Sequence, residues 1–453
     1  MSNTPRGPKP TGQRASSGPY ISLVTGPSGP TERASKRVVS TMALAQFGLF
    51  VALLAPVTVS LALKTQQLVP GDQAAVVNGN VLSIAALFAL VANPVIGRLS
   101  DLTLSRFGRR RPWMFLGAIG FVVSLTIVAL APSVPVLIVG WCLAQLTGNA
   151  ILGPLLTTIA DQVPPEQRGS VSANVGVMQN LGILAAAFVA SWFVTNMVLL
   201  FVAPAVFALI TVWLYCFVLP DRPITKRPDV GGWKGLLFTF WVNPLKHPDF
   251  GWVWLSRFLL TLASFLFVAF RLFFLQEEVG LTEQEAVNTL TLGVLIYTIA
   301  LVVLAKVGGW LSDRMLNRKV FVIGSTVVFA LGLVLLAHTT TVPMFYVVEA
   351  IMGAAYGVYV AVDTALVVDV LPNPDDAAKD LGVLNIANAL PQSLAGAVGA
   401  VLLGLGGLGN NYTALFWGAG VICVLGALTI LPVRHRMIRN ADGTVTGSIA
   451  TRG

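Results

Sequence analysis

Twelve apolar runs, each about 20 residues or longer, take up most of this chain and dictate what it can fold into. They lie at about 38–61, 77–97, 112–131, 134–158, 170–193, 197–219, 251–275, 286–309, 319–339, 342–368, 381–404 and 411–432. The hydrocarbon core of a bilayer is about 30 Å thick and takes about 20 helical residues to cross. Lipid offers no partner to backbone N–H and C=O groups, so each run has to satisfy its own by coiling. The runs lack the period-two alternation of a barrel strand. Composition points the same way: with 55% hydrophobic and 11% charged residues, a water-soluble chain of 453 residues could not cover its surface.

A repeat divides the chain in two. Gly97-Arg98-Leu99-Ser100-Asp101, with Arg106 downstream, returns 212 positions later as Gly309-Trp310-Leu311-Ser312-Asp313, with Arg318 downstream. Asp161-Gln162-Val163-Pro164 after run four parallels Asp369-Val370-Leu371-Pro372 after run ten, at an offset of 208. Matching signatures at half the chain length indicate related halves. The expected class is an all-α membrane protein with twelve transmembrane helices in two pseudo-symmetric six-helix bundles. Residues 38–219 form the first bundle and 251–432 the second. Pro220, Pro223, Pro228, Gly231 and Gly232 mark 220–250 as a cytoplasmic linker. Residues 1–37, rich in Pro, Gly, Ser and Thr, read as a disordered cytoplasmic tail, and 433–453 as a cytoplasmic tail.

The net charge of +9 could suggest a nucleic-acid partner, but its distribution excludes one, because the basic residues gather in the tails and alternate loops. Of 29 Lys and Arg, all but Lys64 in an outer loop and Arg257, Arg271 and Lys306 within runs fall on the side of the termini. That side is expected to be the cytoplasm, so the protein is expected in the cell membrane as a multi-pass chain with both termini inside. The opposite face has an acidic loop at Glu277, Glu278, Glu283 and Glu285. Cys142, Cys216 and Cys423 lie inside apolar runs, which speaks against disulfides and thiolate metal sites. Gly404-x-Gly406-x-x-Gly409 follows no strand and is read as helix packing and a turn, not a nucleotide cradle. Asp375, Asp376 and Asp380 sit in a loop with Lys379, Asp380 being placed to cap run eleven, so no metal and no resident cofactor is expected.

One segment carries a family likeness. Gly97-Arg98-Leu99-Ser100-Asp101, continued through Arg106-Phe107-Gly108-Arg109-Arg110-Arg111-Pro112-Trp113, resembles the loop between helices two and three of the major facilitator superfamily. The Ser-Arg-Phe-Gly-Arg-Arg-Arg-Pro form is similar to the sucrose and maltose carriers and the glycoside:cation symporters. So are Asn149-x-x-x-Gly153-Pro154 and the stretch from Asp380 through Asn385 and Asn388 to Pro391-Gln392. The resemblance implies a secondary transporter of a small polyhydroxylated solute, a sugar or glycoside, working by alternating access and driven by a coupling proton. It also implies that helices one, four, seven and ten line the central cavity. Rival readings are a drug exporter, an intramembrane enzyme and a transporter-like receptor. The first lacks its Gly-Pro-rich signature between Gly176 and Trp192, the second its Asp-rich metal motifs, the third a long output segment. Nothing in the sequence requires more than a monomer.

Several residues are candidates for the site. Gly97, Asp101, Arg106 and Arg109, with Gly309, Asp313 and Arg318, form a conformational latch in which Asp101 faces a helix N-terminus while Arg106 and Arg109 bond its oxygens. On run seven Arg257, Ser264 and Arg271 recur every seven residues, as do Glu349, Tyr356 and Asp363 on run ten, so each trio shares a face. The runs are antiparallel, which sets Arg257 and Asp363 at one depth and Arg271 and Glu349 at another. Charges within a span are costly and face a cavity or each other. The first bundle offers amides instead: Gln46, and the stripe Trp141, Gln145, Asn149. Amides bond hydroxyls as donor and acceptor, and an indole packs on a sugar ring. Tyr356, Tyr359, Asn385 and Gln392 complete the expected substrate contacts. Plant sucrose carriers have an acid where Gln145 stands, and melibiose-type symporters use aspartates on helix two where this chain has Asn78, Asn80 and Asn93. Any coupling carboxylate is therefore expected on run ten.

Overall fold

The computed structural model describes residues 33–221, 247–315, 317–369, 377–406, 410–433, 435–439 and 445–449. The expected disordered tail up to residue 32, most of the expected linker, and Asp375 and Asp376 lie outside them. Twelve helices in the described residues are long and apolar enough to span a bilayer. They are α1 (Lys36–Leu68), α2 (Gly71–Asp101), α3 (Arg111–Leu130), α4 (Val134–Gln162), α5 (Pro165–Phe193) and α6 (Met197–Val218). The second half has α7 (Pro248–Glu277), α8 (Glu283–Met315), α9 (Arg318–Ala337), α10 (Val342–Asp369), α11 (Ala377–Leu403) and α12 (Tyr412–Thr429). A short antiparallel ribbon pairs β1 (His435–Arg439) with β2 (Val445–Ile449) after them.

Local chemistry sets the helix ends. Asn196 caps α6 by accepting from the Leu199 N–H at 3.1 Å, and Asn411 caps α12 through the Ala414 N–H at 2.8 Å. Proline stands in the first turn of α3, α4, α5 and α7, where its missing N–H costs nothing. Inside α1, Pro56 opens a π-turn over Pro56–Ser60, and the Thr58 hydroxyl donates to the Leu54 carbonyl at 2.8 Å. The helix recovers and runs on to Leu68, so Lys64 lies in its last turns and not in a loop. There its Nζ donates to the Ala129 carbonyl at 2.9 Å, a cation at the C-terminal end of α3.

The packing repeats with a period of six helices. Helix α1 packs on α5 and α6, α2 on α4, and α3 on α4 and α6; α7 packs on α11 and α12, α8 on α10, and α9 on α10 and α12. The contacts that join the halves repeat too, α2 with α11 and α5 with α8. At the end opposite the termini the halves share one apolar cluster. Val59, Leu63, Ala75 and Ala187 from the first half are buried with Phe270, Phe273 and Leu290 from the second. Two hydrogen bonds cross there, Gln66 to Gln276 and the Thr291 hydroxyl to the Ala187 carbonyl at 3.1 Å. Helices α2 and α11 touch backbone to backbone at Gly79 and Gly396.

Candidate functional site

A narrow cleft of about 20 Å³ lies between the halves. Its walls are Val57 at the π-turn of α1, Leu82 on α2, and Gln145 on α4. Facing them are Phe265 and Val268 on α7 and Gln392 on α11. Among the described residues, two amides, one from each half, are the polar side chains of this lining, and no charged side chain contributes to it. Gln145 and Gln392 were both legible as amides in apolar runs, and the fold brings them to one space.

The other amino-half candidates point elsewhere. Residues four apart on a helix advance by about 40°, so Trp141 and Asn149 flank Gln145 on one stripe of α4, and their neighbours decide what each can reach. Trp141 is sealed in the amino-terminal core, and the expected stacking on a sugar ring is corrected. Asn149 turns its Nδ2 back to the Gln145 carbonyl at 2.8 Å. Gln46 is buried and donates to Gln179 on α5 at 3.3 Å, a bond within the first bundle. The side chain of Asn385 lies outside the described residues. Asn78, four residues before Leu82 on α2, is buried with neither amide atom bonded; an amide in an apolar run was the signal for it.

Both expected charge pairs form, because antiparallel α7 and α10 match residues of equal depth. Arg257 Nε donates to Asp363 Oδ2 at 2.8 Å, and Nη2 donates to the same oxygen. Asp363 Oδ1 is buried without an aligned partner, and the neighbouring Tyr359 hydroxyl is buried in the same condition. Arg271 Nη1 meets both oxygens of Glu349, at 3.1 and 3.4 Å, with the guanidinium over the Phe267 ring. Tyr356 packs among the rings of Tyr297, Phe329 and Tyr359. Among the described residues the lining of the cleft comes from α1, α2, α4, α7 and α11; Tyr356, Tyr359 and both pairs are not part of it.

At the end that carries the termini the latch is wired differently from the expectation. Arg110, not Arg106 or Arg109, holds Asp101, at 2.6 Å, and also reaches Asp161 Oδ2 at 3.1 Å. Arg109 bonds the other oxygen of Asp161, while Arg106 is exposed and lies over the Phe107 ring. The carboxylate at a helix N-terminus is Asp221, which accepts the Arg110 and Arg111 N–H groups at 2.7 and 2.9 Å at the start of α3. Gly97 has open space where a Cβ would be, and Gly309 approaches Ala361 on α10. Asp313's side chain lies outside the described residues. Arg318 opens α9. Gly108 holds φ +98°, and a Cβ there would lie 2.2 Å from Asp221. Asp221→Ala should cost about 1–2 kcal/mol and Gly108→Ala more, read as lower thermal midpoints of the purified protein.

The comparisons with known proteins agree with this architecture. The sequence pattern of the Major Facilitator Superfamily matches residues 38–373 and 253–446. The chain belongs to that superfamily. Over 384 residues it is 26% identical to a triacylglyceride transporter of Mycolicibacterium smegmatis, across 70% of this chain and 66% of that relative's length. The other curated relatives match over shorter stretches, so the chain spans less than two thirds of each. Among solved structures, the nucleoside transporter NupG superposes with a TM-score of 0.69 at 16% identity, covering 87% of this chain and 99% of that one. A D-xylose–proton symporter superposes with 0.64 at 18%, covering 88% and 97%. At such identities the likeness is one of fold. The twelve helices and the superfamily make this a multi-pass membrane protein of a transporter family.

Proposed function

We propose that this superfamily member is a secondary transporter of the cell membrane, with both termini in the cytoplasm. Its cargo is a small, uncharged, polyhydroxylated solute, a sugar or glycoside, moved by alternating access and coupled to a proton. The observation that carries this reading is the cleft between the halves, with Gln145 and Gln392 on facing walls and no charge among the described residues of its lining. A charged solute would meet no counter-ion there, whereas an amide both donates to and accepts from a hydroxyl. The carriers of nucleosides and of D-xylose that share the fold handle solutes of this chemistry. Replacing either glutamine by leucine should weaken solute binding by roughly 5- to 140-fold, the loss of one hydrogen bond to a buried polar group. Equilibrium binding to the purified protein measures it, and unchanged affinity in both variants would sink the assignment.

Asp363 is the proposed proton carrier. Paired with Arg257 it stays ionised, and when the pair separates in the other conformer it takes up a proton to remain buried. In Asp363→Asn, uptake driven by a pH gradient should vanish while solute exchange without net proton flow persists. Gradient-driven uptake at the wild-type level would eliminate this role.

A second reading has its own support. Most of the cleft is apolar, and the triacylglyceride transporter is a relative, so export of an apolar compound fits the same walls. Dye efflux set against sugar uptake in one vesicle preparation distinguishes the two.

A further inference from the structure

Among the twelve spans α8 is the least buried, and one of its exposed positions holds a cation, Lys306. Gly293, Tyr297, Leu301 and Gly308 press α8 against α10. Lys306 stands about 180° from Tyr297 around the helix, on the face that carries the exposed Ile299, Val303 and Trp310. A charge within a span ordinarily turns inward or finds a partner. Lys306 has no ion-pair or hydrogen-bond partner among the described residues. Nor does the repeat account for it, since at the offset of 212 its counterpart is Pro94. One turn nearer the end that carries the termini, Trp310 has 61% of its surface exposed, and the Arg314 guanidinium lies 5.5 Å from the centre of its ring. Along the axis Lys306 and Arg314 are about 12 Å apart, but the ring contact draws Arg314 back by a turn, to about 6 Å from the level of Lys306.

We infer that this face of α8 holds an anionic phospholipid of the leaflet beside the termini, its phosphate between Lys306 and Arg314, its headgroup against Trp310 and its acyl chains along Val303 and Ile299. An indole is at home at headgroup level. A lysine stem lies along apolar surface while its ammonium reaches for the phosphate. Two cations converging on one phosphate favour a lipid with net negative charge, because the choline of a zwitterionic lipid brings a cation of its own. This surface is separate from the cleft between the halves and independent of what the cleft carries.

The test uses the full chain in phosphatidylcholine nanodiscs that contain a small fraction of brominated phosphatidylglycerol or, in parallel, of brominated phosphatidylcholine. Bromine quenches tryptophan fluorescence on contact, and subtracting the signal of the matching Trp310→Phe chain isolates Trp310. The expected result is that phosphatidylglycerol quenches Trp310 with an apparent affinity roughly 10- to 30-fold above that of phosphatidylcholine, about fivefold for each cation. Lys306→Gln and Arg314→Gln should each cut that preference about fivefold, and Lys306→Arg should keep it. Both cations are exposed, so their replacement leaves the packing of α8 on α10 intact, and either variant decides if the other fails to fold. Equal quenching by the two lipids overturns the inference, as does a preference that both glutamine variants retain. Absence of quenching by either lipid means that the face looks onto water, and overturns it as well. None of these outcomes touches the proposed solute or its coupling.

Discussion

Gly396→Ala is expected to lower solute uptake at least about tenfold while leaving the folded protein almost as stable as before. A Cβ at Gly396 would stand 1.7 Å from the Gly79 carbonyl oxygen and 2.4 Å from the Ser83 hydroxyl. A hydroxyl can rotate away, but a helix carbonyl cannot. Both obstacles belong to α2, in the first half, so the packing inside each bundle is untouched. The penalty therefore falls on the arrangement in which the two halves meet at the end opposite the termini. An overpacking cost of about 2–3 kcal/mol on that arrangement shifts its population by roughly 30- to 140-fold. A carrier must visit both arrangements in each cycle, so such a shift slows turnover directly. Ala75→Cys, in the shared apolar cluster, supplies the readout: its thiol should react with an aqueous maleimide faster in the Gly396→Ala background. Gly324→Ala is the control, because nothing lies within 4 Å of a Cβ there. Wild-type uptake in Gly396→Ala would mean that the close contact at Gly79 plays no part in the cycle.

That glycine contact was not legible in the sequence, and the reason is general. The chain has 43 glycines, and nothing in their spacing says which two lie face to face across a joint between halves. What was legible followed from constraints that act on one helix at a time. Twelve spans could be read because lipid imposes a length and forbids unpaired backbone. The depths of Arg257, Arg271, Glu349 and Asp363 could be read because a seven-residue spacing keeps a helical face and antiparallel neighbours share a depth scale. Gln145 and Gln392 stood out as amides in apolar runs. Reading failed where rotation or a distant partner decides. Trp141 shares a stripe with Gln145 but is sealed in the amino-terminal core, and Lys64 follows a helix that continues past its π-turn. Asp221 caps a helix that begins 110 residues before it, which no local pattern records. The same limit explains the latch: Asp101 was recognisable, but whether Arg106, Arg109 or Arg110 reaches it depends on the turn at Gly108.

The two charge pairs look alike in sequence, and neutralising them should separate their roles. Arg271 and Glu349 are sealed together, with 6% and 0% of their side chains exposed and both carboxylate oxygens facing the guanidinium. Removing one partner from a buried pair costs about 3–5 kcal/mol, because the other charge is left without its counter-ion. The two single variants should differ. A lone carboxylate can take up a proton and become neutral, whereas a guanidinium has no such exit. Glu349→Leu, which strands Arg271, is therefore expected to lower the thermal midpoint more than Arg271→Met does. Replacing both by apolar residues removes the desolvation cost along with the attraction, so Arg271→Met with Glu349→Leu should recover most of the lost stability and carry solute. The same treatment of the other pair should give the opposite outcome. Arg257→Met with Asp363→Leu should fold, since its charges also cancel, but lose gradient-driven uptake if Asp363 carries the proton as proposed. The two pairs already differ in access: Arg257 keeps 16% of its side chain exposed, against 6% for Arg271. Loss of uptake in both double variants at equal stability would show that the sealed pair takes part in transport as well, whereas gradient-driven uptake retained in Arg257→Met with Asp363→Leu would remove Asp363 as the proton carrier.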